Sequence, residues 1–212
     1  MKKIVSGFYH FKNYSFTKRK TLFSKLAVGQ EPEVLFLTCS DSRVDPSLIT
    51  HTEPGELFVI RNAGNIVPPY PTGISGVVAS IEYAVAVLKV KHIIICGHSD
   101  CGAMKGALDT SSVNKMPNVK KWLGYVQPAI SNLEKKFKNK DSFNLMEITR
   151  QNVLTQINNI LTYPELKKNI ESNSVDLHGW VYDIKHGSIE VYDSEVKSFI
   201  SFEEFYESPE NE

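Results

Sequence analysis

Two rhythms of apolar and polar positions organise the chain. Residues 34–38 (VLFLT), 57–60 (LFVI) and 92–96 (HIIIC) are short, nearly unbroken apolar runs rich in β-formers, the pattern of strands buried on both faces of a parallel sheet. Between the second and third runs, Ile74, Val77, Val78, Ile81, Val85 and Leu88 recur at helical spacing, predicting a helix over Gly73–Val90 with Thr72 as its N-cap. Asp45 ahead of Pro46 predicts a short helix after the first strand, since proline suits the first helical turn. Pro117–Phe137 and Ser142–Leu161 support two further helices, with Pro164 just beyond the second. Near the end, Val175–Ile184 and Ser188–Val191 flank Lys185, His186 and Gly187, a hairpin in which glycine supplies positive φ. The predicted fold is α/β: a mostly parallel central sheet flanked by helices, with an antiparallel C-terminal edge.

A length of 212 residues without repeats or a Pro/Gly/Ser linker fits one domain spanning 1–212. Charge narrows the partners. Lys plus Arg number 24 and Asp plus Glu number 24, so no net field points to nucleic acid or an anionic membrane. No segment approaches the roughly 18 consecutive apolar residues of a membrane span. Gly7, His10, Lys12 and Asn13 interrupt any apolar run of a secretory signal, and three cysteines make an incomplete disulfide framework, so a reducing cytoplasm is expected. On that reading the sequon at Asn13 is fortuitous.

Candidate chemistry sits where two of the apolar runs end. In open α/β sheets ligands gather outside the carboxyl ends of the strands. Cys39, Ser40, Asp41, Ser42 and Arg43 follow the first run, and Gly97, His98, Ser99, Asp100, Cys101 and Gly102 follow the third. His98 and Cys101 are close enough in sequence to share an ion, and Cys39 joins them if its strand is adjacent. Two thiolates, one imidazole and one open position suit catalytic zinc, and soft sulfur disfavours magnesium and calcium. From the His-x-x-Cys spacing alone, small buried cysteines beside a satisfied core histidine are an equal alternative.

Taken together, these motifs resemble those of the β-class carbonic anhydrases, of the plant and cyanobacterial type and similar to bacterial enzymes associated with cyanate metabolism. The resemblance rests on Cys39–Val44 (CSDSRV), Pro54–Asn62 (PGELFVIRN), Gly73–Tyr83, Gly97–Gly102 (GHSDCG) and His178–Asp183 (HGWVYD). It implies one zinc ion per chain on Cys39, His98 and Cys101, and zinc-bound hydroxide oriented by an Asp41–Arg43 dyad for the reversible hydration of carbon dioxide to bicarbonate and a proton. Arginine matches carboxylate geometry and would keep Asp41 ionised and aimed; the competing reading of the pair is a loop salt bridge. The resemblance also places Gln30, Phe58, Ala63, Tyr83 and the backbone of Gly102 around the substrate, with Ala63 where plant enzymes carry valine. Plain core packing is the alternative for Phe58 and Tyr83. It further implies a catalytic core over 30–193, a helical arm over 1–29 that packs on a neighbouring copy, a tail over 194–212, and a homo-oligomer. Phe36 stands where members with a non-catalytic bicarbonate pocket carry tryptophan, which favours a site that Asp41 does not close.

Two other readings remain: hydrolysis of carbonyl sulfide or carbon disulfide on the same scaffold, or a structural or redox-sensing zinc protein. Elsewhere, His178 and Trp180 are expected to pack and hydrogen-bond, and His10, His51, His92 and His186 to lack metal-ligand companions. Cys96 is expected to be an inert core thiol, and Lys135, Lys136, Lys138 and Lys140 a solvated cap at a helix end.

Overall fold

The computed structural model describes residues 1–72, 75–137, 143–173 and 175–206. Its contacts divide the chain into two compact units, Met1–Glu31 and Pro32–Glu212. The first holds helices α1 (Lys2–His10), α2 (Phe16–Lys18) and α3 (Lys20–Leu26), with a π-helical turn at Phe11–Ser15. None of these elements buries a residue, and Ile4, Phe8, Tyr9 and Tyr14 are exposed.

The second unit is built on a six-stranded sheet in the order β2-β1-β3-β4-β5-β6. Strands β1 (Val34–Cys39), β2 (Leu57–Asn62), β3 (His92–His98) and β4 (Asp176–Asp183) run parallel, and β5 (Ser188–Asp193) and β6 (Ser198–Ser201) continue antiparallel. The predicted strands and hairpin are all present. Strand β6 was not foreseen, because Ser198–Ser201 is too short and polar to stand out. Gly187 takes φ +67° in the turn, and no atom lies within 4 Å of a Cβ built there. Gly187→Ala is therefore expected to cost about 1–2 kcal/mol through backbone conformation alone, read as a lower denaturation midpoint; an unchanged midpoint would refute it.

Helix α4 (Pro46–Thr50) follows β1, with the Asp45 side chain accepting from the backbone N–H groups of Ser47 and Leu48 as predicted. Helix α5 (Gly76–Tyr83) is capped by Ser75, not Thr72: the Ser75 hydroxyl accepts from Val77 N–H, whereas the Thr72 hydroxyl donates to the Pro69 carbonyl. Gly73 and Ile74 lie outside the described residues. A π-helical turn, Ala84–Leu88, completes this crossover. Helix α6 (Gly102–Leu108) leaves the end of β3 and was not foreseen.

The single helix expected over Pro117–Phe137 is two, α7 (Pro117–Leu123) and α8 (Gln127–Phe137), joined by a 3-10 turn at Gly124–Val126. Lys135 and Lys136 end α8; Lys138 and Lys140 fall outside the described residues. Helix α9 (Leu145–Leu161) begins at a capping box between Asn144 and Glu147, three residues after the expected Ser142, itself outside the described residues. Pro164 does not merely follow a helix but opens α10 (Pro164–Asn173). A last short helix, α11 (Phe202–Phe205), lies against β5.

Helix α9 packs across β3 and β4 at two glycines. A Cβ at Gly97 would stand 2.8 Å from Thr149 Cγ2, and one at Gly179 would stand 3.1 Å from Val153 Cγ1. This approach carries a buried amide ladder on α9 to the loop after β2. Asn152 Nδ2 donates to the Gly64 carbonyl, Gln156 Oε1 accepts from Val67 N–H, and Asn159 Nδ2 donates to the Val67 carbonyl. Gln156 links the other two, donating to Asn152 Oδ1 and accepting from Asn159 Nδ2.

Candidate metal centre

Because β1 and β3 are neighbours in parallel register, Cys39 at the end of β1 and His98 at the end of β3 emerge side by side, and the turn after β3 returns Cys101 between them. Asp100 turns that corner at φ +57°, a conformation aspartate tolerates better than most residues. The donor atoms of Cys39, His98 and Cys101 lie within 4.8 Å of one another, and all three residues are buried.

Geometry and orphaned atoms both fit a tetrahedral soft cation. The two sulfurs are 4.0 Å apart, close to the roughly 3.8 Å expected of two thiolates about 2.3 Å from a tetrahedral zinc. His98 is wholly buried; its Nδ1 lies 2.8 Å from the Ser99 carbonyl, which fixes the tautomer with Nδ1–H donating. Nε2 then presents a lone pair and has no hydrogen-bond partner among the described residues, the arrangement expected of an imidazole ligand oriented from behind. The Cys101 thiol beside Cys39 lowers the Cys39 pKa to about 4 against the effect of burial, with His98, Gly64 N–H and the Asp41 backbone assisting. Cys101 is correspondingly pushed up by Cys39 and by burial. Burial opposes a charged His98, but Cys39, the Ser99 carbonyl and Asp41 outweigh it and raise its pKa.

Beside the three donors stands the predicted carboxylate–guanidinium pair. Arg43 grips Asp41 at both oxygens, Nε to Oδ1 at 2.9 Å and Nη2 to Oδ2 at 2.8 Å, and Asp41 Oδ1 also accepts from Arg43 N–H. Asp41 Oδ2 is 3.9 Å from His98 Nε2, so the carboxylate faces the donor cluster. Arg43 holds its pKa far below the usual carboxylate range, against some burial, which keeps it ionised at any physiological pH.

Three residues that the sequence reading passed over complete the clamp. Arg43 Nη1 donates to Asp100 Oδ2 at 2.9 Å, and Lys105 pairs with the other Asp100 oxygen. Arg61 donates from Nε to the Cys39 carbonyl and from Nη2 to the Asp41 carbonyl, tying the loop after β1 to β2. Arg61 and Asp100 sat inside the motifs already singled out, but neither the backbone contacts of Arg61 nor a side-chain pair 57 residues apart, Arg43 with Asp100, leaves a spacing signature.

The remaining candidates are placed as follows. Phe58 and Tyr83 have ring centroids 6.2 Å apart; Phe58 packs on the core, as its plain reading held, and Tyr83 is exposed. The Ala63 carbonyl accepts from Trp122 Nε1 at 2.9 Å, and Gly102 opens α6 beside Cys101. Gln30 belongs to the first compact unit. Phe36 is fully buried, edge-on to Trp180 at 6.0 Å. Cys96 is wholly buried, which pushes its thiol up to about 12 and makes it inert, as expected. His92 departs from expectation, because Asp176 and His178 stand beside it.

Comparison with known proteins agrees with this geometry. Residues 34–189 match a family model described as carbonic anhydrase. A carbonic anhydrase of Pseudomonas aeruginosa is 44% identical over 204 residues, covering 96% of this chain and 93% of that protein. Carbonic anhydrase 1 of Escherichia coli O157:H7 is 46% identical over 200 residues, covering 94% and 91%. Among solved structures, the β-carbonic anhydrase CcaA superposes with a TM-score of 0.87 at 40% identity, covering 95% of this chain and 91% of that one. Tetrameric β-carbonic anhydrases of Sordaria macrospora give 0.76 at 34% identity, covering 89% and 94%.

Proposed function

The chain belongs to the β-carbonic anhydrase family, and from that membership we propose that it hydrates carbon dioxide reversibly to bicarbonate and a proton at a zinc ion held by Cys39, His98 and Cys101. The observation that carries the proposal is the convergence of two buried sulfurs and an unpartnered imidazole nitrogen beside an arginine-clamped carboxylate. When bound, zinc supplies a Lewis acid that lowers the pKa of water and makes it a nucleophile near neutral pH.

The chain's own groups do the positioning. Asp41 Oδ2, held ionised, accepts a hydrogen bond from the attacking water and so turns an oxygen lone pair toward the carbon. Arg43 keeps that oxygen in place from its far side, and Asp100 with Lys105 keeps Arg43 in place. Phe58, Ala63 and Tyr83 give a linear apolar substrate its wall, and the Gly102 N–H serves as a donor to its oxygen as negative charge develops. The product proton leaves to buffer.

The working form is a homo-oligomer. Tetrameric relatives and an arm over residues 1–31 that buries none of its own side chains support this reading. A cytoplasmic setting suits three free cysteines, two of which must remain thiolates; no helix among the described residues is long and apolar enough to cross a membrane. Stopped-flow hydration of carbon dioxide at mildly alkaline pH, on reduced protein of known zinc content, tests the activity. Turnover proportional to zinc is expected; no turnover at full zinc occupancy would overturn the proposal. Light scattering on the same sample reads the assembly, and a fully active monomer would overturn the oligomer.

A further inference from the structure

Strand β3 begins with one histidine and ends with another. His98 closes it at the site just described; His92 opens it, about 20 Å away at roughly 3.3 Å per residue. The parallel register sets Asp176 opposite His92, and places His178 two residues on, on the same face of β4. His92 Nδ1 is 3.2 Å from His178 Nε2 and 3.6 Å from Asp176 Oδ2, and the donor atoms of all three lie within 4.8 Å of one another.

Donors about 2.0–2.1 Å from a tetrahedral ion stand roughly 3.3–3.4 Å apart, so the two separations bracket one edge of such a polyhedron. A bond between the imidazoles explains only the shorter one. The carboxylate is too far for a hydrogen bond to Nδ1, and if Nδ1 is the acceptor from His178, Asp176 faces a lone pair. A cation between the three resolves both contacts. Access is open: the His92 and Asp176 side chains are 42% and 69% exposed, and Asp176 and His178 border a cavity of about 470 Å³ with Gln151, Asn158 and Tyr192.

We propose that His92, Asp176 and His178 form a second metal site, for a divalent transition ion of the zinc, cobalt or nickel type, at the end of β3 opposite the catalytic centre. Two imidazoles and one carboxylate favour such ions over magnesium or calcium, and three protein ligands leave water in the remaining coordination. The site stands independently of the zinc assignment at Cys39, His98 and Cys101.

The test is titration of the zinc-loaded full chain, without an affinity tag, with cobalt(II). One further equivalent is expected, with visible d–d bands and no thiolate charge-transfer band in the near ultraviolet. His92→Ala and Asp176→Asn, at a half-buried and an exposed position, should take up none while keeping their carbon dioxide hydration. Cys101→Ser, expected to lack the first ion, should still take up one cobalt with the same spectrum free of thiolate bands, so loss of one assignment is separable from loss of the other. Three results would overturn the site: no cobalt bound by the parent chain, uptake only with thiolate bands, or the same extra equivalent in all variants.

Discussion

Cys101→Ser is expected to yield a folded chain that neither holds zinc nor hydrates carbon dioxide above background, whereas Asp41→Asn should keep its zinc and turn over roughly 100- to 10,000-fold more slowly. Cys101 contributes one of two sulfurs 4.0 Å apart in a site closed on three sides by protein. A serine hydroxyl there is a hard, neutral donor with a shorter reach, and Cys39 and His98 alone cannot define a tetrahedron. Asp41 is a different case, because its carboxylate touches Arg43 and its nearer oxygen is 3.9 Å from His98 Nε2. Asparagine keeps the shape but loses the charge and one of the acceptors that Arg43 grips, so the damage falls on orienting the nucleophile. Zinc content by elemental analysis and stopped-flow turnover are read on the same samples. Equal zinc loss in both variants would refute this division of labour.

Gln156→Ala is expected to be the most costly single change outside the site, at about 3–5 kcal/mol of unfolding free energy. Gln156 is fully buried and serves Val67 N–H, Asn152 and Asn159 at once. Its removal strands Val67 N–H and Asn152 Oδ1 in the interior, each worth about 1–3 kcal/mol when left unsatisfied, takes one of two partners from Asn159 Nδ2, and leaves a void besides. The effect reaches the metal centre. The loop that Gln156 and Asn152 hold carries Gly64, whose N–H points at Cys39 Sγ from 3.4 Å. Zinc affinity should therefore fall together with the denaturation midpoint. Gln156→Met, which restores most of the volume and none of the hydrogen bonds, separates the two contributions: a midpoint near that of the parent chain would show that packing, not the ladder, matters there.

Strands β1 to β4 and the hairpin at Gly187 were legible because parallel strands buried on both faces announce themselves as apolar runs, and a hairpin by its glycine. The three donors of the candidate metal centre were legible because each sits at or just past the end of such a run, with His98 and Cys101 three residues apart. What escaped depends on register. Asp176 and His178 are 84 and 86 residues from His92, and nothing local reveals that β4 pairs with β3 so as to face them together. Arg61 works through backbone carbonyls, and Thr72 was read as the cap because the apolar period begins at Ile74 in the sequence, whereas the helix starts at Gly76 behind Ser75. Helix α6 is short and small-residue-rich, so its amphipathic period had no room to show.

The two sulfurs of the metal centre are 62 residues apart, and the chain between them includes the whole of β2, its crossover helix and β3. They meet only after β1 has paired with a strand formed much later in the sequence. An ion bridging them is thus gained late in chain collapse and pins a long loop that strand pairing has already closed. Contacts made that late act on the rate of opening rather than the rate of closing. A metal-loaded molecule should accordingly outlast a stripped one many times over while reaching its native state no faster.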